Sequence, residues 1–417
     1  MSEFSIDRRT ALKGLALGCV LAAPVAGWSK EQMTGDEAQW AKVRDAFVPQ
    51  QPLNNLNNAS ISPPTLVVQD AMIRAYQFAN ANPDINMWRK LDNALDGIKK
   101  KLALLADCDA AEIALNRNST EGLCTAIFGI PLKTGDEVLL ADWDYASMRK
   151  AWDQRREREG IVIAPVKFDL MDSDDVIVDA YTKAITPRTK AMQLTHMIHW
   201  TGRVLPVERL CKIARERGIQ TVVDAAQSFA HIPLSVRQIG CDFFVTSLHK
   251  WMCAPFGNGM LVVRSERIDP TWPLLAPFDP PPLRIEKFDH YNLGTYNSAA
   301  QTAIEPAIDF HNSIGTAKMF QRLQSLTRHW VERASDIPGF KMHTPMDHPQ
   351  LGAVSLFSIA GVTPEVIEQR MLETYKFRVR MRRANGLEGV RVSPQIYTLK
   401  ADLDRFVDGL RQIAKAS

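Results

Sequence analysis

The sequence predicts an α/β fold in which a large domain, built on a mostly parallel sheet covered by helices, is followed by a smaller α+β domain. Three observations predict it. Between about residues 110 and 265, short apolar runs alternate with helix-period stretches, the pattern of parallel strands joined by crossover helices. A Pro-rich loop at Asp279-Pro280-Pro281-Pro282 then marks a shift in composition. Beyond it, helix-period segments frame a C-terminal region of its own.

In chain order, residues 31–64 hold a polar Asn- and Pro-rich piece, Gln51 to Asn58, that reads as an irregular segment. The apolar runs are Glu112–Leu115, Glu137–Ala141, Ile161–Val166, Lys190–Leu194, Gln220–Val223, Asp242–Thr246 and Gly259–Val263. Each has strand length and β-branched or aromatic content. Pro206–Arg217 carries apolar Val207, Leu210, Ile213 and Ala214 at helical spacing. Ala299–Ile314 and Lys400–Ala416 read as helices of the C-terminal region. No period of about 20–50 residues repeats, which argues against a solenoid. The expected organisation is a leader at 1–29, an N-terminal segment at 30–64, a large domain at 65–290 and a small one at 291–417.

Of 417 residues, 46% are hydrophobic and 23% charged, as in an ordinary globular protein. The net charge is only +3 and no basic run stands out, so no nucleic-acid partner is expected. Six cysteines without a CxxC pair suggest neither a disulfide scaffold nor a zinc site, and no metal is expected.

The first thirty residues read as an address. Arg8-Arg9-Thr10-Ala11-Leu12-Lys13 precedes an uncharged stretch from Gly14 to Gly27 that ends in small residues. A basic start, a short apolar core and a small-residue exit describe a cleaved signal peptide, and the core is too short for a stable membrane anchor. The paired arginines resemble a twin-arginine export signal, although Asp7 and Ala11 stand where Ser and Phe are commoner. The expectation is a periplasmic protein handled by the twin-arginine export machinery and cleaved near residues 26–30.

Four features fall just after strands, where ligands bind in open α/β sheets. Asn118-Ser119-Thr120-Glu121-Gly122 opens a helix and offers hydroxyls and free N–H groups to a phosphate; an ordinary N-cap is the plainer alternative. Asp224, ahead of Ala225-Ala226-Gln227, is a carboxylate at a buried strand end that needs a partner or serves as a cap. Thr246-Ser247-Leu248-His249-Lys250-Trp251 places a lysine past an apolar strand beside an aromatic ring, suited to a depressed pKa and nucleophilic amine chemistry. Arg391 carries a planar fork suited to a carboxylate.

The ordered set resembles the class V, fold type I, pyridoxal-phosphate enzymes, which include cysteine desulfurases, kynureninases and isopenicillin N epimerase-like proteins. Leu56-Asn57-Asn58-Ala59 and Gly294-Thr295-Tyr296-Asn297 resemble two further motifs of that family. The resemblance implies the type I transferase fold, with a mixed, mostly parallel seven-stranded sheet, a smaller α+β C-terminal domain and a homodimer whose phosphate sites are shared across subunits. It implies pyridoxal 5'-phosphate held covalently by Lys250, the catalytic residue. Asp224 would face the ring nitrogen, and Gln227 the ring hydroxyl. Ser119, Thr120, Ser247 and His249 would hold the phosphate, and Thr295 would reach the phosphate of the neighbouring subunit. Tyr145 would stack on the ring, and Arg391 would bind the substrate α-carboxylate. His199 stands where desulfurases often carry Asn, as an acid–base group or a hydrogen-bonding wall. No cysteine follows Cys253, so a desulfurase's catalytic thiolate has no counterpart. With the leader, the chain resembles exported enzymes that modify the glutamate of pyoverdine siderophores. The expected substrate is a small molecule or peptide, with Arg391, Arg382 and Arg383 binding its carboxylates. Epimerisation or lyase chemistry on a free amino acid, and a non-catalytic cofactor-binding sensor, are the other readings.

Overall fold

A computed structural model describes residues 36–49, 52–277 and 284–416. The arginine-pair leader and the Pro-rich loop lie outside the described residues.

All seven expected strands form one sheet. They are β1 (Ile113–Asn116), β2 (Glu137–Ala141), β3 (Val162–Val166), β4 (Thr189–Thr195), β5 (Gln220–Asp224), β6 (Phe243–Ser247) and β7 (Gly259–Val263). Their order is β1-β7-β6-β5-β4-β2-β3. Five neighbouring strands run parallel, and β7 is antiparallel to both β1 and β6. Strands β1, β2, β6 and β7 are buried along their whole length, which explains their near-continuous apolar sequence. Strand β3 lies at the edge, and its exposed Pro165 costs no ladder bond there.

The helices that precede the sheet include α1 (Leu66–Ala81) and α2 (Asp92–Ala106). Helices α3 (Ser119–Gly129), α4 (Ala146–Glu159), α5 (Asp174–Ala184) and α6 (Val207–Glu216) connect successive strands. Helix α3 packs close to the sheet because Gly122 has no side chain: a Cβ there would lie 2.6 Å from both Asn116 and Val245. The helix expected over Ala299–Ile314 is two pieces, Ser298–Thr302 and α7 (Ile304–Ile314). Pro306 is the reason, since its ring opposes the carbonyl four residues back and it has no N–H to give.

The C-terminal region carries a four-stranded antiparallel sheet of β8 (Phe340–Met342), β9 (Ser355–Ile359), β10 (Arg380–Ala384) and β11 (Leu387–Val392), ordered β10-β11-β9-β8. Asn385 and Gly386, at φ 53° and 75°, make the tight turn between β10 and β11. Helices α8 (Thr316–Ala334), α9 (Pro364–Glu373) and α10 (Lys400–Lys415) belong to the same region. Trp330 meets Phe340, Phe357 and Phe406 edge-on in its core. The segment before α1 also reaches this region. Asn54–Asn55 pairs in parallel with Phe377–Arg378, and Asn57 bridges to Ser393. That pairing holds Asn57 to Ser60 beside the end of β11.

Candidate active site

The carboxyl ends of β1, β2, β4, β5 and β6 surround a cavity of about 270 Å³, closed on one side by β10 and β11. Ser119, Thr120, Tyr145, His199, Asp224, Gln227, Ser247, His249, Lys250 and Arg391 all line it. Residues spread over more than 270 positions of sequence are thus brought together by the strand ends of the large sheet and by β10 and β11 of the second one.

At one end, helix α3 begins with Asn118 as its N-cap, the Asn118 side chain accepting from the Glu121 N–H. The cap role that Ser or Thr could have filled is therefore taken. The Ser247 hydroxyl accepts from the Ser119 N–H and donates to the Ser119 hydroxyl, both at 2.9 Å. The exposed Thr120 follows on the first turn. Hydroxyls and a helix start together make an anion site. His249 donates its Nδ1 proton to the Asn258 carbonyl at 3.1 Å, leaving Nε2 toward other partners.

In the middle lies Lys250. Its amine makes no hydrogen bond or ion pair among the described residues, and burial, together with Arg391 and Arg382, pushes its pKa down to about 8 against the attraction of Asp224. A neutral amine at that position is nucleophilic near physiological pH. Asp224 accepts from the Ala226 N–H, and burial raises its carboxyl above the usual range. Gln227 is clamped: its amide donates to the Ala59 carbonyl at 2.8 Å, and its oxygen accepts from the Trp251 indole at 3.0 Å. Trp251 in turn stacks on His231 at 3.6 Å, whose ring is tied to Gln227 and to the Ala353 N–H.

At the other end sits Arg391, almost fully buried. Its guanidinium donates to the His199 carbonyl, the Asn57 side chain and the Ser60 hydroxyl, each at 2.7 Å. All three partners are neutral, so a buried positive charge has no carboxylate of its own. Arg382 also lines the cavity and makes no ion pair among the described residues. Arg383 does not join it. It is exposed and bridges Glu365 and Glu388, because neighbouring residues of a strand point to opposite faces.

Thr295 lies apart, exposed in a second cavity of about 420 Å³ with Arg117, Glu121 and His290. Within one chain it does not reach the first cavity. Asn57, Ser60, Thr195, Met197 and Ala226 line or brace the site without having been singled out for it, although Asn57 and Ala226 stood in motifs already noted and Met197 lies two residues before His199. Tyr145 lines the cavity with 42% of its surface exposed, free to present its ring to a bound molecule.

The aminotransferase class-V family profile matches residues 54–406. The chain belongs to the class V aminotransferase family. Isopenicillin N epimerase of Amycolatopsis lactamdurans is 29% identical over 398 residues, covering 90% of this chain and 99% of that protein. A probable cysteine desulfurase of Synechocystis sp. is 26% identical, covering 86% and 90%. Among solved structures, the cysteine desulfurase CsdA of Escherichia coli superposes with a TM-score of 0.79 at 21% identity, covering 90% of this chain and 98% of that one. That of Thermococcus onnurineus NA1 gives 0.81 at 22%, with the same coverage. The fold is thus the type I fold of pyridoxal-phosphate enzymes, and a class V member is an enzyme that uses pyridoxal phosphate. The residues present fit that group. An anion site at a helix start, a buried carboxylate, an uncommitted amine and an available aromatic ring match its phosphate, ring nitrogen, aldehyde and ring face.

Proposed function

We propose that this chain is an exported pyridoxal-phosphate enzyme acting on the α-amine of an amino acid or peptide, and that its substrate is the glutamate of a pyoverdine siderophore precursor in the periplasm. The observation that carries the amino-acid reading is Arg391, a buried guanidinium held only by neutral oxygens and facing the same cavity as Lys250. A substrate carboxylate supplies the missing charge and fixes the substrate, placing its α-carbon toward Lys250.

In this proposal Ser119, Thr120, Ser247 and His249 hold the cofactor's phosphate, Lys250 carries the cofactor, and Tyr145 covers its ring. Asp224 holds a proton on the ring nitrogen, and the clamped Gln227 faces the ring hydroxyl. The cofactor supplies an electron sink for the bonds of the α-carbon. Lys250 would be placed to move a proton at that carbon, its lowered pKa suiting it to both taking and returning one. Two such sites in a homodimer, with Thr295 completing the partner's phosphate site, make up the assembly.

The periplasmic part rests on Arg8-Arg9 and the apolar stretch after them, and on the need of an exported amino-acid enzyme for an extracytoplasmic substrate. Sulfur transfer is disfavoured because no cysteine is among the described residues lining the cavity, and burial pushes the Cys253 thiol up to about 12. The similarity to isopenicillin N epimerase favours epimerisation as the second reading.

The test is to add a glutamyl-terminated siderophore precursor to the purified holoenzyme and follow the cofactor's absorbance and the product's mass. Transfer of the amine converts the cofactor to its amine form and alters the mass. Epimerisation changes neither but inverts the centre. No change with the precursor while free amino acids react refutes the siderophore assignment.

A further inference from the structure

The loop after β4 holds His199 in a way that decides its chemistry. Its backbone is a tight reversal: Ile198 N–H donates to the Arg203 carbonyl, Gly202 N–H to the Ile198 carbonyl and Leu205 N–H to the His196 carbonyl, all at 2.8 Å. Gly202 has φ +73°, and a Cβ there would lie 2.0 Å from the Val354 carbonyl, so the reversal is pressed against the second sheet. From below, Arg391 donates to the His199 carbonyl. The imidazole itself stands edge-on to Tyr145, with ring centres 5.1 Å apart.

The next residue supplies the decisive contact. The Trp200 indole donates its Nε1 proton to His199 Nε2 at 2.6 Å. An indole nitrogen can only donate, so Nε2 must be the unprotonated nitrogen of the ring. The single proton of the neutral imidazole is then on Nδ1, which is buried and has no partner among the described residues. Charging the ring would require Nε2 to give up the indole bond and take a proton beside Lys250, Arg382 and Arg391, the cations that face it; Tyr145 is the other titratable neighbour. Trp200 is steadied by its edge contact with Trp143, whose own indole donates to the Phe168 carbonyl.

We infer that Trp200 sets the tautomer of His199, so that His199 presents a fixed Nδ1–H donor to an oxygen acceptor of the molecule bound in the cavity and carries no proton in the reaction. Trp200 is a positioning residue in this scheme. The inference rests on the reading of the cavity as the pyridoxal-phosphate site. Two oxygens share the required chemistry, one on the cofactor ring and one on the substrate carboxylate.

The experiment is nitrogen NMR of the full chain carrying labelled histidine, with the His199→Asn variant identifying the signal. In the cofactor-free protein, His199 should show the Nδ1-protonated neutral form, unchanged between about pH 5.5 and pH 8.5. In Trp200→Phe the proton should redistribute toward Nε2, and the ring should titrate at higher pH than in the wild type. A wild-type ring protonated on Nε2, a ring that titrates in this range, or a Trp200→Phe signal identical to the wild type overturns the inference. Adding pyridoxal phosphate should move the Nδ1 proton if the acceptor is the cofactor; a shift only on further adding a carboxylate substrate analogue assigns it to the substrate. No shift with either overturns the donor role. His199→Asn keeps a donor and should hold its ligand within about threefold of the wild type, while His199→Leu should weaken it about tenfold. The tautomer readings need no bound cofactor, so they stay decisive even if the activity proposed above fails.

Discussion

Two buried lysines in this molecule show the same residue used in opposite ways. Lys99 on α2 meets Asp289 at 2.5 Å, and Asp289 also accepts the Leu115 N–H at the start of the sheet. That lysine is committed: its charge is paired, and the pair ties α2 to β1. Lys250, turned inward beside the cavity, has no hydrogen bond among the described residues, and the groups around it are more positive than negative. Burying a charge without a partner opposes stability, so an uncommitted buried lysine marks a place where folding has been traded for chemistry. The arginines repeat the contrast. Arg383 answers two glutamates in solvent, whereas Arg391 is enclosed by neutral oxygens alone.

The contrast can be broken most severely at Lys250. Lys250→Ala should lower turnover by at least about 10²–10⁴-fold, the range for a lost acid–base group, while the cofactor-free protein stays folded. Lys99→Ala should do the reverse. Leaving Asp289 buried and unpaired should cost about 3–5 kcal/mol by denaturant unfolding, with turnover per folded molecule retained. Next comes Arg391→Ala, expected to raise the KM for a carboxylate-bearing amine about a hundredfold, from the loss of roughly 2–3 kcal/mol of charge-assisted bonding. An unchanged KM would remove Arg391 from the substrate site.

A pH series sharpens the comparison further. The Lys250 pKa of about 8 in the folded protein lies below its unfolded value near 10.5. The unfolded chain therefore binds more protons between those values, and the stability of the cofactor-free protein gains from Lys250 as pH rises through that window. Lys250→Met should flatten that gain, and Lys99→Met should leave it in place. The smallest effect belongs to Arg383→Ala. Substrate KM should not move, since Arg383 faces solvent.

Much of this was legible in the sequence, for a physical reason. Strands of a parallel sheet are buried on both faces, so their apolar runs end where the strands end, and the residues just beyond are those that line the cavity. That rule drew attention to Asp224 and to the segment holding Ser247 and Lys250, and their order along the chain, with the family resemblance, gave them roles. Other features were not legible. Whether Arg382 or Arg383 enters the cavity depends on the register of β10 against β11, which pairs Arg382 with Gly389 and Arg383 with Glu388. That the cap of α3 is Asn118, freeing Ser119, depends on backbone geometry at one residue. The clamp on Gln227 by Trp251 and the contact of Trp200 with His199 arise from side-chain directions that no periodicity records. Helices α1 and α2 also escaped notice, α2 despite six residues buried along one face.

In the proposed function Lys250 is the cofactor's covalent anchor. The most direct measurement is to load the protein with pyridoxal phosphate, reduce the linkage with borohydride and map the modified peptide by mass spectrometry. The added mass should sit on Lys250, and Lys250→Ala should carry none. A label on another lysine, or none on the wild type, would contradict the assignment of this cavity as the active site.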